Sequence, residues 1–261
     1  MTTPIDWVTE RRVVVEDDPA GVAAVVANRL VSRLVSWTGK GRTVHVSLTG
    51  GSTGGAALRA VGAHGDRDRI AWPLVHFWWS DERFVPRDDP ERNARQARQA
   101  LLDRIPVPAE NVHEMAATDD GLDLDEAATA YAHELARFGT PEQPWPVFDV
   151  CLLGVGPDAH IASLFPDRPE IQLTDVATAA VRDSPKPPPE RITLTRPVIN
   201  SSERVWMALS GADKASALGL ALAGASYASV PAAGAKGRRR TVLFVDTAAA
   251  AQVPPELIDR D

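Results

Sequence analysis

The sequence predicts an α/β fold in which helices and small insertions flank a largely parallel sheet. Short runs rich in β-branched residues alternate along the chain with longer segments rich in Ala and Leu, which is the pattern of strands alternating with helices. Several of the short runs are apolar throughout, as strands covered on both faces are. The chain has 261 residues, of which 44% are hydrophobic, and this is enough to bury a substantial core.

Eight short runs are predicted as strands because they combine β-branched or aromatic residues with turn signals on either side. In chain order they cover residues 12–15, 43–48, 74–79, 148–153, 176–181, 191–194, 205–209 and 241–245. Five longer segments are predicted as helices because their apolar residues recur every three or four positions, as Val22, Val26 and Leu30 do. These helices cover residues 19–37, 53–61, 93–105, 124–138 and 213–223.

Two stretches between these elements are predicted to be irregular. Prolines interrupt residues 183–191, and residues 224–240 are rich in Gly, Ala and Ser. Neither stretch separates two regions of different composition, so we expect residues 1–261 to form a single domain.

Composition and charge exclude several classes of function. The net charge is −7 at pH 7, and residues 236–240 form the one basic cluster, so no nucleic-acid partner is expected. No stretch approaches the roughly 20 apolar residues of a membrane helix, and residues 1–18 hold no apolar signal segment. We therefore expect a cytoplasmic protein. Cys151, the single cysteine, lies in an apolar run and is predicted to be a buried thiol.

A glycine loop joins the second predicted strand to the second predicted helix. It reads Thr49-Gly50-Gly51-Ser52-Thr53, and the free N–H groups of the new helix, together with the Ser52 and Thr53 hydroxyls, would form an anion site. The alternative is an ordinary turn with a Ser or Thr cap. The loop is not a Walker motif, because the Lys-Ser/Thr ending is missing.

Lysine is scarce in this chain, which directs attention to Lys214. The sequence contains four lysines, at positions 40, 186, 214 and 236, and Lys214 lies at the start of a predicted helix. A cation there opposes the helix dipole, so its position favours an anionic partner, with a plain surface lysine as the alternative. Together with the glycine loop, Lys214 points to a phosphorylated small molecule.

A histidine loop follows the fourth predicted strand. Its residues Gly154-Val155-Gly156-Pro157-Asp158-Ala159-His160 would lie at the carboxyl edge of the sheet, where open α/β folds bind ligands. Histidine exchanges a proton near neutral pH, and Asp158 would orient His160. The alternative is that His160 and Asp158 only cap a short turn. The loop also has the spacing of a dinucleotide fingerprint, but Pro166 limits any helix that follows.

The other histidines offer less. His45 and His76 lie within predicted strands, whereas His64, His113 and His133 fall in loop or helix-surface patterns. No set of His, Cys and carboxylate residues has metal-ligand spacing.

A charged loop follows the third predicted strand. Asp81 and Arg83 come directly after that strand, and Asn93 lies further on. At the carboxyl edge of the sheet, Arg83 would bind a phosphate or an oxyanion. Most of the charges from Arg87 to Arg92 are predicted to form a solvated face.

Five segments together resemble the 6-phosphogluconolactonases of the glucosamine-6-phosphate isomerase/6-phosphogluconolactonase family. They are LTGGST (48–53), WWSDERFVP (78–86) with Asn93 beyond it, LLGVGPDAHIASLFP (152–166), SPKPPPERITLT (184–195) and SGADKA (210–215). They occur in the family's order and span nearly the whole chain. One departure is Ala159, where the family usually has Gly. Alanine takes positive φ only at a cost, so if this position needs a left-handed backbone the loop would be slightly strained or reshaped, and we expect retained activity.

The resemblance implies a Rossmann-like α/β fold and a carboxylic-ester hydrolase. This enzyme would convert 6-phospho-D-glucono-1,5-lactone to 6-phosphogluconate in the oxidative pentose phosphate pathway. It implies His160 as the general base, Asp158 as the residue that positions it, and no metal or organic cofactor. The residues implied to bind the phosphorylated sugar lactone are Gly50, Gly51, Ser52, Thr53, Asp81, Arg83, Asn93, Gly156, Arg191 and Lys214.

One alternative mechanism and two alternative functions fit parts of the same sequence. A covalent route through Ser163 is disfavoured, because its surroundings are not a nucleophile elbow. A glucosamine-6-phosphate deaminase would carry a Glu where this chain has Phe165 and a Tyr where it has Arg83. A phosphosugar-binding module without catalysis predicts a DNA-binding appendage, for which the sequence has neither a spare helical segment nor a basic face.

Overall fold

The computed structural model describes residues 10–253, which form two sheets with helices packed around them. Residues 1–9, part of the stretch in which no signal segment is expected, and residues 254–261 lie outside this range. The strands in the described range are β1 (Glu10–Glu16), β2 (Val44–Leu48), β3 (Val75–Trp79), β4 (Asp81–Arg83), β5 (Val150–Gly154), β6 (Thr178–Val181), β7 (Arg191–Leu194), β8 (Arg204–Leu209) and β9 (Arg240–Asp246).

The five predicted helices occur in the predicted order, and two short helices that were not predicted are also present, one of them (Pro231–Gly234) within residues 224–240, which were predicted to be irregular. They are α1 (Pro19–Thr38), α2 (Gly51–Ala63), α3 (Asn93–Ala100), α4 (Leu124–Ala136), α5 (Arg196–Asn200), α6 (Ala215–Leu222) and α7 (Pro231–Gly234). Helix α1 begins where Pro19 takes the first position and the Asp18 side chain accepts a hydrogen bond from the Gly21 N–H, a favourable helix start. None of the helices in the described range is long and apolar enough to cross a membrane.

The main sheet is wholly parallel and has the strand order β1-β9-β8-β5-β2-β3. This confirms the predicted α/β class. Its strands are buried on both faces, as their apolar sequences require: Val46, Leu153 and Phe244, for example, are fully buried. Because the strands are parallel, their carboxyl ends share one edge, and the loops that follow β2, β5 and β8 meet there.

The second sheet is small and antiparallel, with the order β4-β7-β6. The sequence predicted β6 and β7 but did not assign them to a separate sheet, and it missed the three-residue strand β4. Strand β4 follows β3 after a single residue, Ser80, whose N–H donates to the Leu48 carbonyl while its own carbonyl accepts from the Leu194 N–H. The chain thus passes directly from the main sheet into the small one.

Several predicted helix bounds are wrong. Helix α3 ends at Ala100, not residue 105, and is followed by a 3₁₀ turn (Leu102–Arg104). Helix α2 begins at Gly51, two residues before the predicted start, and α6 begins after a 3₁₀ turn (Ala212–Lys214). Each of these differences falls where a turn residue or a tighter turn changes the backbone without changing the apolar periodicity.

Two polar side chains from segments with a surface or loop pattern are buried. Arg92 has no accessible surface, because its guanidinium donates to the carbonyls of Met115 and Ala116. His113 is 5% exposed and stacks on Trp78, with ring centroids 3.7 Å apart. Polar atoms in both residues find partners in the tertiary structure, which a local charge pattern does not reveal.

Three histidines form one stack beside β3. The rings of His45 and His76 stack with centroids 4.9 Å apart, and His76 Nδ1 lies 3.0 Å from His113 Nε2. Trp78 donates to His45 Nδ1, and His113 Nδ1 contacts Glu134. Burial lowers the pKa of all three rings, and nearby positive charge on the stack and on Arg42 adds to this for His45, whose pKa falls to about 3.

The stack predicts that acid destabilises the fold. The neutral ring of His45 is favoured in the folded state, whereas the unfolded chain takes up a proton near its ordinary value of 6.5. Stability is therefore full above that pH and is lost as pH falls toward about 3. We expect His45 to account for a loss of about 2 kcal/mol between pH 7.5 and pH 5. Urea unfolding at both pH values should show this loss reduced in His45→Gln, because glutamine takes up no proton in this range.

The matched control is His133→Gln, which changes an exposed histidine on α4. It should keep the pH dependence of the unaltered protein. An equal pH dependence in the His45 and His133 variants would contradict this assignment.

Candidate active site

The candidate active site is a cleft of about 300 Å³ at the carboxyl ends of β2, β5 and β8. All the site residues that the sequence predicted line this cleft except Asp158, which lies behind His160. The predicted residues in the lining are Gly50, Gly51, Ser52, Thr53, Asp81, Arg83, Asn93, Gly156, His160, Arg191 and Lys214. The cleft also includes Lys186, so four cationic side chains and one carboxylate line it. The lining therefore favours an anionic ligand.

His160 and Asp158 form a hydrogen-bonded pair on the loop after β5. His160 Nδ1 lies 2.6 Å from Asp158 Oδ1, and the two side chains are 15% and 34% exposed. A carboxylate only accepts hydrogen bonds, so this contact places the proton on Nδ1 and leaves the Nε2 lone pair free. The arrangement gives His160 the tautomer that a general base requires.

Lys186 completes this group from the loop between β6 and β7. Its Nζ lies 3.3 Å from Asp158 Oδ1 and 3.3 Å from His160 Nδ1. Partial burial alone would raise the pKa of Asp158, but the hydrogen bond with His160 and the nearby Lys186 charge bring it well below its ordinary value. Asp158 is therefore ionised throughout the neutral range.

Gly156 is needed because the pair occupies the space of a side chain. A Cβ added at Gly156 would lie 2.1 Å from His160 Nδ1 and 2.4 Å from Asp158 Oδ1, far inside van der Waals contact. The absence of a side chain at Gly156 thus allows the His160 and Asp158 side chains to come close together. The loop is not followed by a helix, so the dinucleotide interpretation lacks the helix N-terminus that holds a pyrophosphate.

The glycine loop after β2 leaves the start of α2 uncapped. Gly50 is the N-cap residue, and no side chain bonds to the first N–H groups of the helix. The predicted alternative, an ordinary Ser or Thr cap, is therefore wrong. A Cβ at Gly50 would lie 1.7 Å from Asn93 Oδ1, so only glycine allows Asn93 to pack there. Gly51, Ser52 and Thr53 at this helix start line the cleft, and uncapped N–H groups at a helix start suit an anion.

Arg83 and Arg191 lie side by side on the small sheet. They are directly opposed in the register of β4 and β7, where like charges repel. Arg191 is 4% exposed and donates to the carbonyls of Lys186, Pro187 and Pro188, so it fixes the loop that carries Lys186. Arg83 lies against Glu91.

Asp81 and Asn93 form the inner wall. Asp81 Oδ2 accepts from the Ser163 hydroxyl at 2.7 Å, and Asn93 Nδ2 donates to the Asp81 carbonyl at 2.9 Å. Ser163 has no accessible surface. A buried hydroxyl bonded to a carboxylate away from His160 does not suit a nucleophile, which agrees with disfavouring the covalent route.

Ala159 has the left-handed backbone that the family's glycine would adopt at lower cost. Its φ is +65°, and its side chain is 2% exposed. An L-residue in this region is strained by about 1–2 kcal/mol. The strain expected from the sequence is therefore present at this position.

We expect Ala159→Gly to change the free energy of unfolding by less than about 0.5 kcal/mol. Relief of strain offsets the lost burial of one methyl group and the greater freedom of glycine in the unfolded chain. The control is Ala27→Gly, which removes an equally buried methyl (1% exposed) from the middle of α1 and should cost about 2 kcal/mol. Chemical denaturation measures both, and equal losses would contradict the strain.

Lys186 is the residue that the sequence analysis missed. The scarcity of lysine singled out Lys214 and applies equally to Lys186, one of the same four lysines. Lys214 itself lines the cleft at the start of α6, where its Nζ contacts Asp213 at 2.6 Å. Within residues 10–253, no three His, Cys, Asp or Glu side chains are grouped to hold a metal ion.

Comparison with known proteins gives a consistent result. Residues 17–244 match the family model described as glucosamine-6-phosphate isomerases/6-phosphogluconolactonase. A 6-phosphogluconolactonase of Streptomyces coelicolor is 47% identical over 94% of this chain and 96% of its own length. One of Mycobacterium tuberculosis is 47% identical over 89% and 94%.

A solved structure supports the same conclusion. The crystal structure of 6-phosphogluconolactonase from Thermotoga maritima superposes with a TM-score of 0.78 at 27% identity, covering 90% of this chain and 99% of the other. The parallel sheet, the cleft at its carboxyl edge and these similarities agree. The chain belongs to the glucosamine-6-phosphate isomerase/6-phosphogluconolactonase family.

Proposed function

We propose that this chain hydrolyses 6-phospho-D-glucono-1,5-lactone to 6-phosphogluconate, a step of the oxidative pentose phosphate pathway, by attack of water that His160 activates. The observation that supports the mechanism is a single cleft lined both by His160, whose Nδ1 contacts Asp158, and by the uncapped start of α2. The relatives at 47% identity are named for this lactonase.

The reaction needs few protein groups because a lactone is already an activated ester. His160 Nε2 takes a proton from water, and the water oxygen bonds to the C1 carbonyl carbon. The carbonyl oxygen then carries the negative charge of a tetrahedral intermediate. When that intermediate collapses, the bond from C1 to the ring oxygen breaks, and the imidazolium returns its proton to the ring oxygen as it becomes a hydroxyl. Asp158 stabilises the imidazolium between these steps.

The cleft offers two ends for the two ends of the substrate. The loop after β5 lies between two cationic or N–H groups that follow the neighbouring strands: the first N–H groups of α2, after β2, and the Lys214 ammonium, after β8. We assign the phosphate of the substrate to these two groups. Lys186 lies beside His160 on the other side, and we assign the developing oxyanion to Lys186 and Arg83. Arg191 acts by holding the Lys186 loop in place. The remote phosphate provides binding energy that positions C1.

The environment of His160 argues against the deaminase. Phe165 packs on the His160 ring with centroids 4.7 Å apart, at the position where the deaminases carry a Glu. A phenyl ring transfers no proton, so the relay for opening the sugar ring is missing. The cytoplasmic location and the absence of a nucleic-acid partner stay predictions.

The test is a direct assay of the purified protein. We expect hydrolysis of freshly prepared 6-phospho-D-glucono-1,5-lactone well above the spontaneous rate, with no ammonia released from glucosamine 6-phosphate. Ammonia release would favour the deaminase. Binding of the sugar phosphates with neither reaction would favour the module without catalysis.

A further inference from the structure

A second basic site lies at the opposite end of the main sheet from the active-site cleft. It is a groove of about 420 Å³ between α1 and the first residues of β8 and β9. The lining residues are Asn28, Arg29, Ser32, Arg33, Ser36, Arg204, Trp206, Arg240 and Val242. Strand β8 runs from this groove to the active cleft, a distance of about 17 Å at 3.3 Å per residue. We call this site the arginine groove.

The register of the elements forces its arginines together. Arg204 and Arg240 are directly opposed on the neighbouring strands β8 and β9, where like charges repel. Arg29 and Arg33 are four residues apart on α1, where like charges repel as well. The groove thus brings four arginines together, and none of its described lining residues is acidic.

Anion binding in this groove is argued from Arg33 and Arg204, because Arg29 and Arg240 have other interactions of their own. Both guanidinium groups lie near the Trp37 ring, at 5.9 Å and 5.1 Å from its centroid. The nearest acidic residues are engaged elsewhere: Glu203 pairs with Arg239 and Asp149 pairs with Arg42. Within residues 10–253, neither Arg33 nor Arg204 forms an ion pair.

The same arrangement occurs once more in the molecule, in the active-site cleft. There Arg83 and Arg191 oppose each other across β4 and β7, in the lining we assign to an anionic substrate. An anion that binds between neighbouring guanidinium groups, such as those of Arg33 and Arg204, receives charge-assisted hydrogen bonds from both. The polar hydroxyl and amide groups of Asn28, Ser32 and Ser36 add neutral donors along one side of the groove.

We propose that the arginine groove is a second anion site, which binds a short chain of phosphate groups. Several neighbouring arginines match several adjacent negative charges better than a single carboxylate. Trp206, the aromatic residue in the lining, is 3% exposed and offers no face to a nucleobase. The phosphate chain is therefore the recognised part, whether it is free or belongs to a nucleotide.

The experiment is calorimetric titration of the protein with inorganic tripolyphosphate at low salt. Saturating 6-phosphogluconate is present so that the active cleft is occupied. The unaltered protein should bind one tripolyphosphate under these conditions. Arg33→Gln/Arg204→Gln should weaken this binding by about tenfold or more. Lactone hydrolysis should be unchanged in that variant, which also shows that it is folded.

The matched control is Arg69→Gln/Arg137→Gln, which removes the same charge from two exposed arginines elsewhere. It should bind tripolyphosphate like the unaltered protein. Equal weakening in both double variants would overturn the proposal, and so would the absence of binding once 6-phosphogluconate is present. Binding of a DNA duplex without binding of tripolyphosphate would also overturn it.

A second titration with ATP distinguishes the two sources of the phosphate chain. Equal affinity for ATP and tripolyphosphate supports the site and identifies the phosphate chain as sufficient. Tenfold tighter binding of ATP would show that the nucleoside is recognised as well and would overturn the proposal that the phosphate chain is the recognised part.

Discussion

His160→Ala is expected to lower kcat for lactone hydrolysis by about 10²- to 10⁴-fold, the usual contribution of a general base. The Nε2 lone pair is the group in the cleft that is free to take a proton from water, since Nδ1 is engaged by Asp158. KM should change little, because the start of α2 and Lys214, to which we assign the phosphate, remain intact. The measurement is steady-state kinetics, corrected for spontaneous hydrolysis.

The pH dependence supplies a second readout for the same prediction. In the unaltered protein the rate should fall on acidification as the imidazole is protonated and loses its capacity to act as a base. In His160→Ala this fall in rate at acidic pH, the acidic limb of the pH profile, should disappear together with most of the activity. A variant that keeps both the rate and the acidic limb would show that another group is the base.

Gly156→Ala is expected to reduce kcat by about 10²-fold or more, since displacement of reacting groups by about 1 Å has effects of this size. The added Cβ would lie 2.1 Å from His160 Nδ1 and 2.4 Å from Asp158 Oδ1, so the pair must move. Both side chains lie partly exposed at the cleft surface and have room to do so without unfolding. The melting temperature should therefore change little while kcat falls.

The matched control for this substitution is Gly219→Ala. Gly219 lies within α6, and a Cβ there meets nothing within 4 Å. We expect unchanged kinetics and a gain in stability of up to about 1 kcal/mol from the higher helix propensity of alanine. If Gly156→Ala keeps full activity, the close approach seen at the pair does not matter for catalysis.

Local patterns in the sequence were sufficient for the main-sheet strands, the longer helices and the position of the cleft. Apolar periodicity predicted every strand of the main sheet and the longer helices, because burial of one face or both faces leaves a direct signature in the residue order. The glycine loop and the histidine loop were placed at the carboxyl ends of strands. In a parallel sheet all such ends share an edge, so a common cleft followed from the α/β class.

Contacts between distant segments could not be predicted in this way. The burial of Arg92 and His113 depends on carbonyls and rings brought from other parts of the chain, and no local pattern encodes them. Strand β4 has three residues and forms because β7 pairs with it. Lys186 lies 26 residues after His160 in the sequence, yet its Nζ is 3.3 Å from the imidazole.

The sequence by itself determined the fold class, the edge of the sheet that carries the cleft and most of the residues that line it. These properties depend on residue type and on spacing within one element, and both are visible along the chain. The tertiary structure alone decided which cation lies beside the imidazole, that Arg191 holds a loop, and that two pairs of arginines oppose each other across strands. Those outcomes depend on strand register and on long-range hydrogen bonds, which are set only when separate elements pack together.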